Sequence, residues 1–293
     1  MDRAFRRTCS TALLSLLAFS ATVAADSFQT TTRFDTLDGV CDEDCSLRDA
    51  VVASNANPGP DVILLQFVPQ ESGLHVLTLT GPDEDLGLTG DLDIAAGEDL
   101  TIIGSGANPT VIDGFGSFGA DRVFDVRGSL VLQDVIVRNG EPFGSGGAIR
   151  NSGRLTLINC QVTGSRANAF GFGGGIYSDG VDSELTLRHT IVAVNQAEGG
   201  GGGLAVGGRL TVVDSRIRGN ESLQDFGGGV YLFSEARAEF TNVIFFSNRA
   251  AVAGGAIYVE PPLFPDTPIF RHVTGQANFA PVGPNCAGAC PAN

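Results

Sequence analysis

The chain has no lysine and no tryptophan among its 293 residues, and only one methionine and three tyrosines. Its 18 cationic side chains are therefore all arginine, set against 33 acidic ones for a formal charge of −15. That balance argues against a nucleic-acid partner, which needs clustered basic residues on its phosphates. It also means that any cationic catalytic group would have to be arginine. The apolar residues lack the three-and-four spacing of amphipathic helices and recur instead at every second position, as in strands. Beyond the N-terminus no run approaches the ~18 apolar residues of a membrane span. What is abundant is glycine, 40 residues, about twice ordinary usage, but with no Gly-X-Y period that would indicate collagen. A hydrophobic content of 43% with 8% aromatics is too high for a disordered chain.

Residues 1–25 have the layout of a secretory signal peptide. Arg3, Arg6 and Arg7 precede a short apolar run over 12–24, and Ala25 follows small residues suited to cleavage before Asp26. Export to the cell surface, the periplasm or the extracellular space is expected. Loss of Asp2 and the three arginines leaves 32 acidic and 15 basic residues, a mature charge of −17. The cysteines agree with an oxidising compartment. Cys41/Cys45 and Cys286/Cys290 have matching spacing at opposite ends of the chain and read as two local disulfides. Metal binding by either pair would need two more thiol or imidazole ligands, which neither segment offers.

The body is an internal repeat. Coils start at Leu130, Leu155, Leu185, Leu210, Ala238 and Pro268, at spacings of 25 to 30 residues. Each contains an alternating strand such as Leu155–Asn159, a second strand such as Cys160–Thr163, and a third after a glycine pair or triplet, such as Gly175–Tyr177. Three short strands per coil with no helix between them predict an all-β parallel solenoid of about eight or nine coils. A β-propeller blade would need ~40 residues and four antiparallel strands. Residues 61–284 are assigned to the solenoid, with a cysteine-containing tail at 285–293.

Columns through the stack follow from the alignment. Asp134, Asn159, His189, Asp214, Asn242 and His272 share one position, and Asn195, Asn220, Asn248 and Asn278 another. Asn and Asp suit tight bends and left-handed geometry, and amides in register can hydrogen-bond between coils. The two histidines therefore read as turn residues. Val135, Cys160, Thr190, Ser215 and Val243 form a small or apolar column expected to face inward, which makes Cys160 a buried free thiol. The glycines before the third strand read as bends where a Cβ would clash.

The segment Thr32–Ala50, ending Cys45-Ser-Leu-Arg-Asp-Ala50, resembles the CSLREA domain, with Asp49 in place of the signature glutamate. The resemblance continues through 90–94, 112–114 and 121–124. Phe245–Asn248 followed by Gly254–Ile257 resembles the repeat of polymorphic outer membrane proteins. Together these cover most of the mature chain. They imply an exported right-handed parallel β-helix, single-stranded and often surface-associated. The membrane relatives carry a C-terminal β-barrel that these residues do not include, so self-anchoring is not expected.

Physically, Ser46 and Asp49 form a capping-box-like pair, Leu47, Ala50 and Val51 share a helical face, and Asn57–Pro60 ends the helix. Residues 26–60 thus read as a cap with a short helix over the open apolar end of the solenoid, and Arg48 is expected to pair with a carboxylate of the 42–44 loop.

Three functional features stand out. Tyr177, Tyr231 and Tyr258 share one outward column of the third strand, completed by Arg150 and Ala205, and form a candidate surface for a glycan or a protein partner. Asp35, Asp38, Asp42 and Asp44, with Glu43 between them, form one acidic run; Asp83, Glu84, Asp85, Asp91 and Asp93 form another. Solvated loops are the ordinary reading of such runs and no cofactor is required; hard oxygen donors nevertheless suit Ca²⁺, for which the first run is the primary candidate. The outward positions of the first strands hold a single carboxylate, Glu239, which is not a hydrolase or lyase constellation. The expected function is a structural or adhesive module that binds a glycan or a surface partner. A polysaccharide lyase or glycoside hydrolase of the pectate-lyase-like β-helix type is the alternative.

Overall fold

The computed structural model describes residues 25–57, 59–65, 73–81, 84–106, 109–116, 121–261 and 268–290. The expected leader lies outside these residues except for Ala25. Three parallel sheets run the length of a solenoid, holding nine, eight and eight strands among the described residues. The in-register leucines explain the stack. Leu100, Leu130, Leu155, Leu185 and Leu210 pair in succession and end at Ala238, all buried in the first sheet. The second sheet buries Ile112, Val137, Val162, Val192, Ile217 and Phe245 behind one another. A coil alone would leave these side chains in water, whereas its neighbours above and below cover them. The middle coils add a fourth, two-residue strand (Arg166–Ala167, Gln196–Ala197, Glu221–Ser222, Arg249–Ala250) beyond the three expected. It is too short to show as an alternating run in the sequence.

The turn columns behave as their chemistry requires. Asp134, Asn159, His189, Asp214, Asn242 and His272 all adopt left-handed backbone, with φ between 49° and 57°. At the next corner the asparagines form a ladder. The Asn195 N–H and Nδ2 donate to Asn220 Oδ1 at 3.0 and 3.1 Å, and Asn220 repeats both bonds to Asn248 Oδ1 at 3.1 and 3.0 Å. Each amide also donates to a strand carbonyl, Asn220 to Val192 O at 3.0 Å. Asn195, Asn220 and Asn248 are wholly buried. Glycine is needed where coils touch: a Cβ on Gly228 would lie 2.3 Å from the Arg249 carbonyl oxygen of the next coil.

Cys160 is buried and is the free cysteine among the described residues. Burial pushes its thiol up to about 11, so it is protonated and inert near neutral pH. The two disulfides are Cys41–Cys45 and Cys286–Cys290. No helix among the described residues is long and apolar enough to cross a membrane.

At the N-terminal end, helix α1 (Leu47–Ala56) carries the complete capping box: Asp49 N–H donates to Ser46 Oγ, and the Asp49 carboxylate accepts from the Ser46 N–H. Leu47, Ala50 and Val51 join the solenoid core. Arg48 does not reach the 42–44 loop. It is fully buried and pairs with Asp35 at 2.7 Å, while donating to the carbonyls of Gly87, Gly90 and Asp91. The helix directs Arg48 inward, where only buried acceptors can satisfy its guanidinium.

His75 continues the apolar column of the second sheet, paired with Ile112, and is 4% exposed. Its Nδ1 has no hydrogen-bond partner among the described residues. Burial holds the imidazole down at about 4, against an ordinary 6.5. The folded group thus stays neutral until about pH 4, while the unfolded one takes up a proton near 6.5. Between those values the unfolded chain binds more protons, so stability falls as the pH falls, by about 3 kcal/mol in all. His75→Leu is expected to remove that part of the slope in urea unfolding at pH 7, 5.5 and 4. Identical pH dependence in both proteins would refute this role of the histidine.

Candidate ligand-binding face

Residues of the third sheet alternate between the core and the outer face. Strand register places Asp93, Asp125, Arg150, Tyr177, Ala205, Tyr231 and Tyr258 in one outward column. The face is therefore acidic at its N-terminal end, crosses an arginine, and becomes aromatic.

The aromatic part is wider than the tyrosines. Tyr231 lies at its centre, with ring centroids 5.3 Å from Tyr258, 4.8 Å from Phe233 and 5.5 Å from Phe172, the last edge to face. Phe226 stacks on Tyr258 at 4.4 Å, and Tyr177 meets Phe233 at 6.3 Å. Ala205, between Tyr177 and Tyr231, leaves a gap into which Phe172 and Phe233 lean, their rings 5.4 Å apart. Gly200 clears space for Tyr231, since a Cβ there would lie 2.5 Å from its ring. Tyr231 is buried; the other five rings are half-buried, each keeping part of its surface in solvent.

Polar groups edge the rings. The Tyr231 hydroxyl donates to the Glu260 carboxylate, which also accepts from the Ser234 N–H at 3.1 Å. The Tyr177 hydroxyl donates to Asp179 at 3.2 Å, and Arg150 pairs with the same carboxylate at 3.4 Å. Burial, with Asp179 beside it, pushes the Tyr177 phenol up to about 12. Burial and Glu260 raise Tyr231 too. Both phenols thus remain neutral donors. Around the neighbouring corner a pocket of about 400 Å³ is lined by Asp182, Glu184, Arg209, Glu235 and Arg237, with Ser234 joining it to Phe233.

Register thus brings the three tyrosines and Arg150 onto one face. The three phenylalanines escaped the sequence reading, although Phe172 and Phe226 each stand directly before a glycine triplet, a recurrence visible in the chain. In the first acidic run the Asp35 carboxylate accepts from Arg48 and from the Thr78 and Leu79 N–H groups, Asp38 accepts from the Val40 N–H, and Asp42 from the Asp44 N–H. Asp42 next to Asp44 raises the latter's pKa. Among the described residues, one group of three carboxylates offers ligand atoms within 4.8 Å of one another: Asp85, Asp93 and Asp125.

A continuous solenoid with in-register parallel sheets and this outer face defines a parallel β-helix protein. Residues 110–260 match the family described as the right handed beta helix region, and the chain belongs to that family. No curated protein sequence matches the chain significantly. The solved structure of pectate lyase Pel9A aligns with a TM-score of 0.40 at 12% identity, over 87% of this chain and 78% of that one, a distance at which it says nothing about activity.

Proposed function

We propose that this is an exported β-helix module that binds a glycan along the aromatic face of its third sheet. The row of six packed rings on a rigid outer column carries the reading. Pyranose rings present flat C–H faces that suit aromatic platforms, and hydroxyl groups that suit edging carboxylates and an arginine. The mature charge of −17, 32 acidic against 15 basic residues, repels polyanions, which favours a neutral glycan. The two disulfides and the resemblance of residues 32–50 to the CSLREA domain, and of 245–257 to polymorphic outer membrane protein repeats, support a secreted or surface-displayed setting.

A glycan array followed by calorimetry on the exported protein tests this. Tyr177→Ser combined with Tyr258→Ser removes two half-exposed rings without touching buried Tyr231. Affinity is expected to fall about tenfold, corresponding to roughly 0.5–1.5 kcal/mol per ring, with a few degrees lost in melting temperature and an unchanged far-UV circular dichroism spectrum showing that the fold is kept. Unaltered affinity in the double variant, or no glycan bound at all, would sink the proposal. Release of unsaturated or reducing sugar ends from a bound polysaccharide would move the protein to the lyase or hydrolase alternative.

A further inference from the structure

We infer that Asp85, Asp93 and Asp125 form a Ca²⁺ site at the acidic end of the third-sheet face. Asp93 and Asp125 are register partners on adjacent strands, so their carboxylates emerge side by side. Asp85 reaches them from the irregular segment before the Asp93 strand. Their ligand atoms lie within 4.8 Å of one another, inside the ~5 Å that separates opposite oxygens around one Ca²⁺.

The group is not a solvated acidic loop. Asp93 is buried, with one oxygen held by the Gly87 N–H at 2.8 Å and the other by Arg127. Asp125 is only 7% exposed, and no hydrogen bond or ion pair reaches its carboxylate among the described residues. A carboxylate with so little surface left in water is stabilised by a cation or by donors. Two guanidiniums act on Asp125 electrostatically, and both are engaged elsewhere: Arg127 by Asp93, by the Asp85 carboxylate at 3.3 Å and by the Asp85 carbonyl at 3.2 Å, and Arg122 by Asp91 at 2.9 Å and Asp121 at 3.5 Å. Counting Asp91 and Asp121 with the three, five carboxylates face two guanidiniums, and a divalent ion reduces that excess of negative charge. Three hard oxygen donors of mixed burial, one on an irregular segment and facing solvent, suit the flexible coordination of Ca²⁺ better than the strict octahedron of Mg²⁺. Asp85 and the solvent beside it leave room for water ligands. Bound Ca²⁺ would fasten the 84–90 segment, and with it the Gly87 and Gly90 carbonyls that Arg48 holds, to the second coil.

The test is calorimetric titration of the chelator-treated full exported chain with CaCl₂, with MgCl₂ in parallel and melting curves in each salt. One Ca²⁺ per chain is expected, with a melting temperature several degrees above that in EDTA at saturating Ca²⁺. Asp125→Asn should weaken binding by at least about tenfold through loss of a charged ligand. Exposed Asp85→Asn should weaken it too, and keeps the test valid if the buried variant does not fold. Asp42→Asn with Asp44→Asn should leave binding intact. Equal melting temperatures in Ca²⁺ and EDTA overturn the site, as does wild-type affinity in Asp85→Asn. So does binding that depends on Asp42 and Asp44 but not on Asp85.

Discussion

Replacing Arg48 by Leu is expected to destabilise the protein by about 3–5 kcal/mol, the range for removing one partner of a buried ion pair. The side chain is wholly inaccessible and the Asp35 side chain is 2% exposed. Leucine fills part of the volume but strands the Asp35 carboxylate and the carbonyls of Gly87, Gly90 and Asp91. The loss should register in urea unfolding followed by far-UV circular dichroism. Arg48→Lys should recover little, because an ammonium cannot span the planar fork that meets Asp35 through Nε and Nη2 while also serving three carbonyls. Because the 32–50 segment closes around this pair, limited proteolysis should cut the variant ahead of α1 while sparing the central coils. A loss below about 1 kcal/mol, the ordinary value of a surface pair, would mean that the cap is held by α1 packing alone.

Cutting the asparagine ladder at its centre is expected to have an effect of the same order. Asn220→Ala removes the acceptor of two Asn195 donors and the donor to Val192 O and Asn248 Oδ1. With each stranded buried group worth ~1–3 kcal/mol and partial relaxation around the smaller side chain, a loss of about 3–4 kcal/mol follows. The same change at Asn278, where the ladder ends at a partly exposed corner, should remove less, about 1–2 kcal/mol, since it strands the Asn248 donors but leaves the Asn278 side of the corner open to water. Position dependence is the diagnostic result. Equal losses at Asn220 and Asn278 would show that the asparagines act through turn propensity and not as a connected ladder. Asn220→Asp should be no better than alanine at neutral pH, because a carboxylate cannot donate to Val192 O or Asn248 Oδ1.

How far such features could be foreseen depended on where they lie. From Leu130 onward the coil period is nearly constant, and period-two alternation marks the inward residues. The columns of Leu155, Val162 and Cys160 could therefore be aligned by counting. Turn chemistry made the asparagine ladder visible for the same reason. The first coils resisted counting. Asp61 and Leu100 are register partners in the first sheet 39 residues apart, well beyond the 25 to 30 of the later coils. No steady period therefore marks His75 as an inward residue or sets Asp125 beside Asp93. The aromatic face was half legible: the tyrosines lie within strands and fall into register, whereas Phe172 and Phe226 lie in bends, whose side-chain directions no period specifies, and Phe233 lies just past the end of its strand.

The sequence by itself determined the coil cross-section, the parallel stacking, the capping box of α1 and the two local disulfides. Each of these arises from residues fewer than about ten apart or from a pattern repeated at a steady interval. Only the tertiary structure decided which groups meet across the irregular end. Arg48 joins Asp35 and the Gly90 carbonyl, 13 and 42 residues away, and Asp85, Asp93 and Asp125 converge on one another. Local propensity carries no information about such meetings. They are set by how far the inserted segments displace each strand before the shared core locks its register, and by the need of every buried charge there to find a partner.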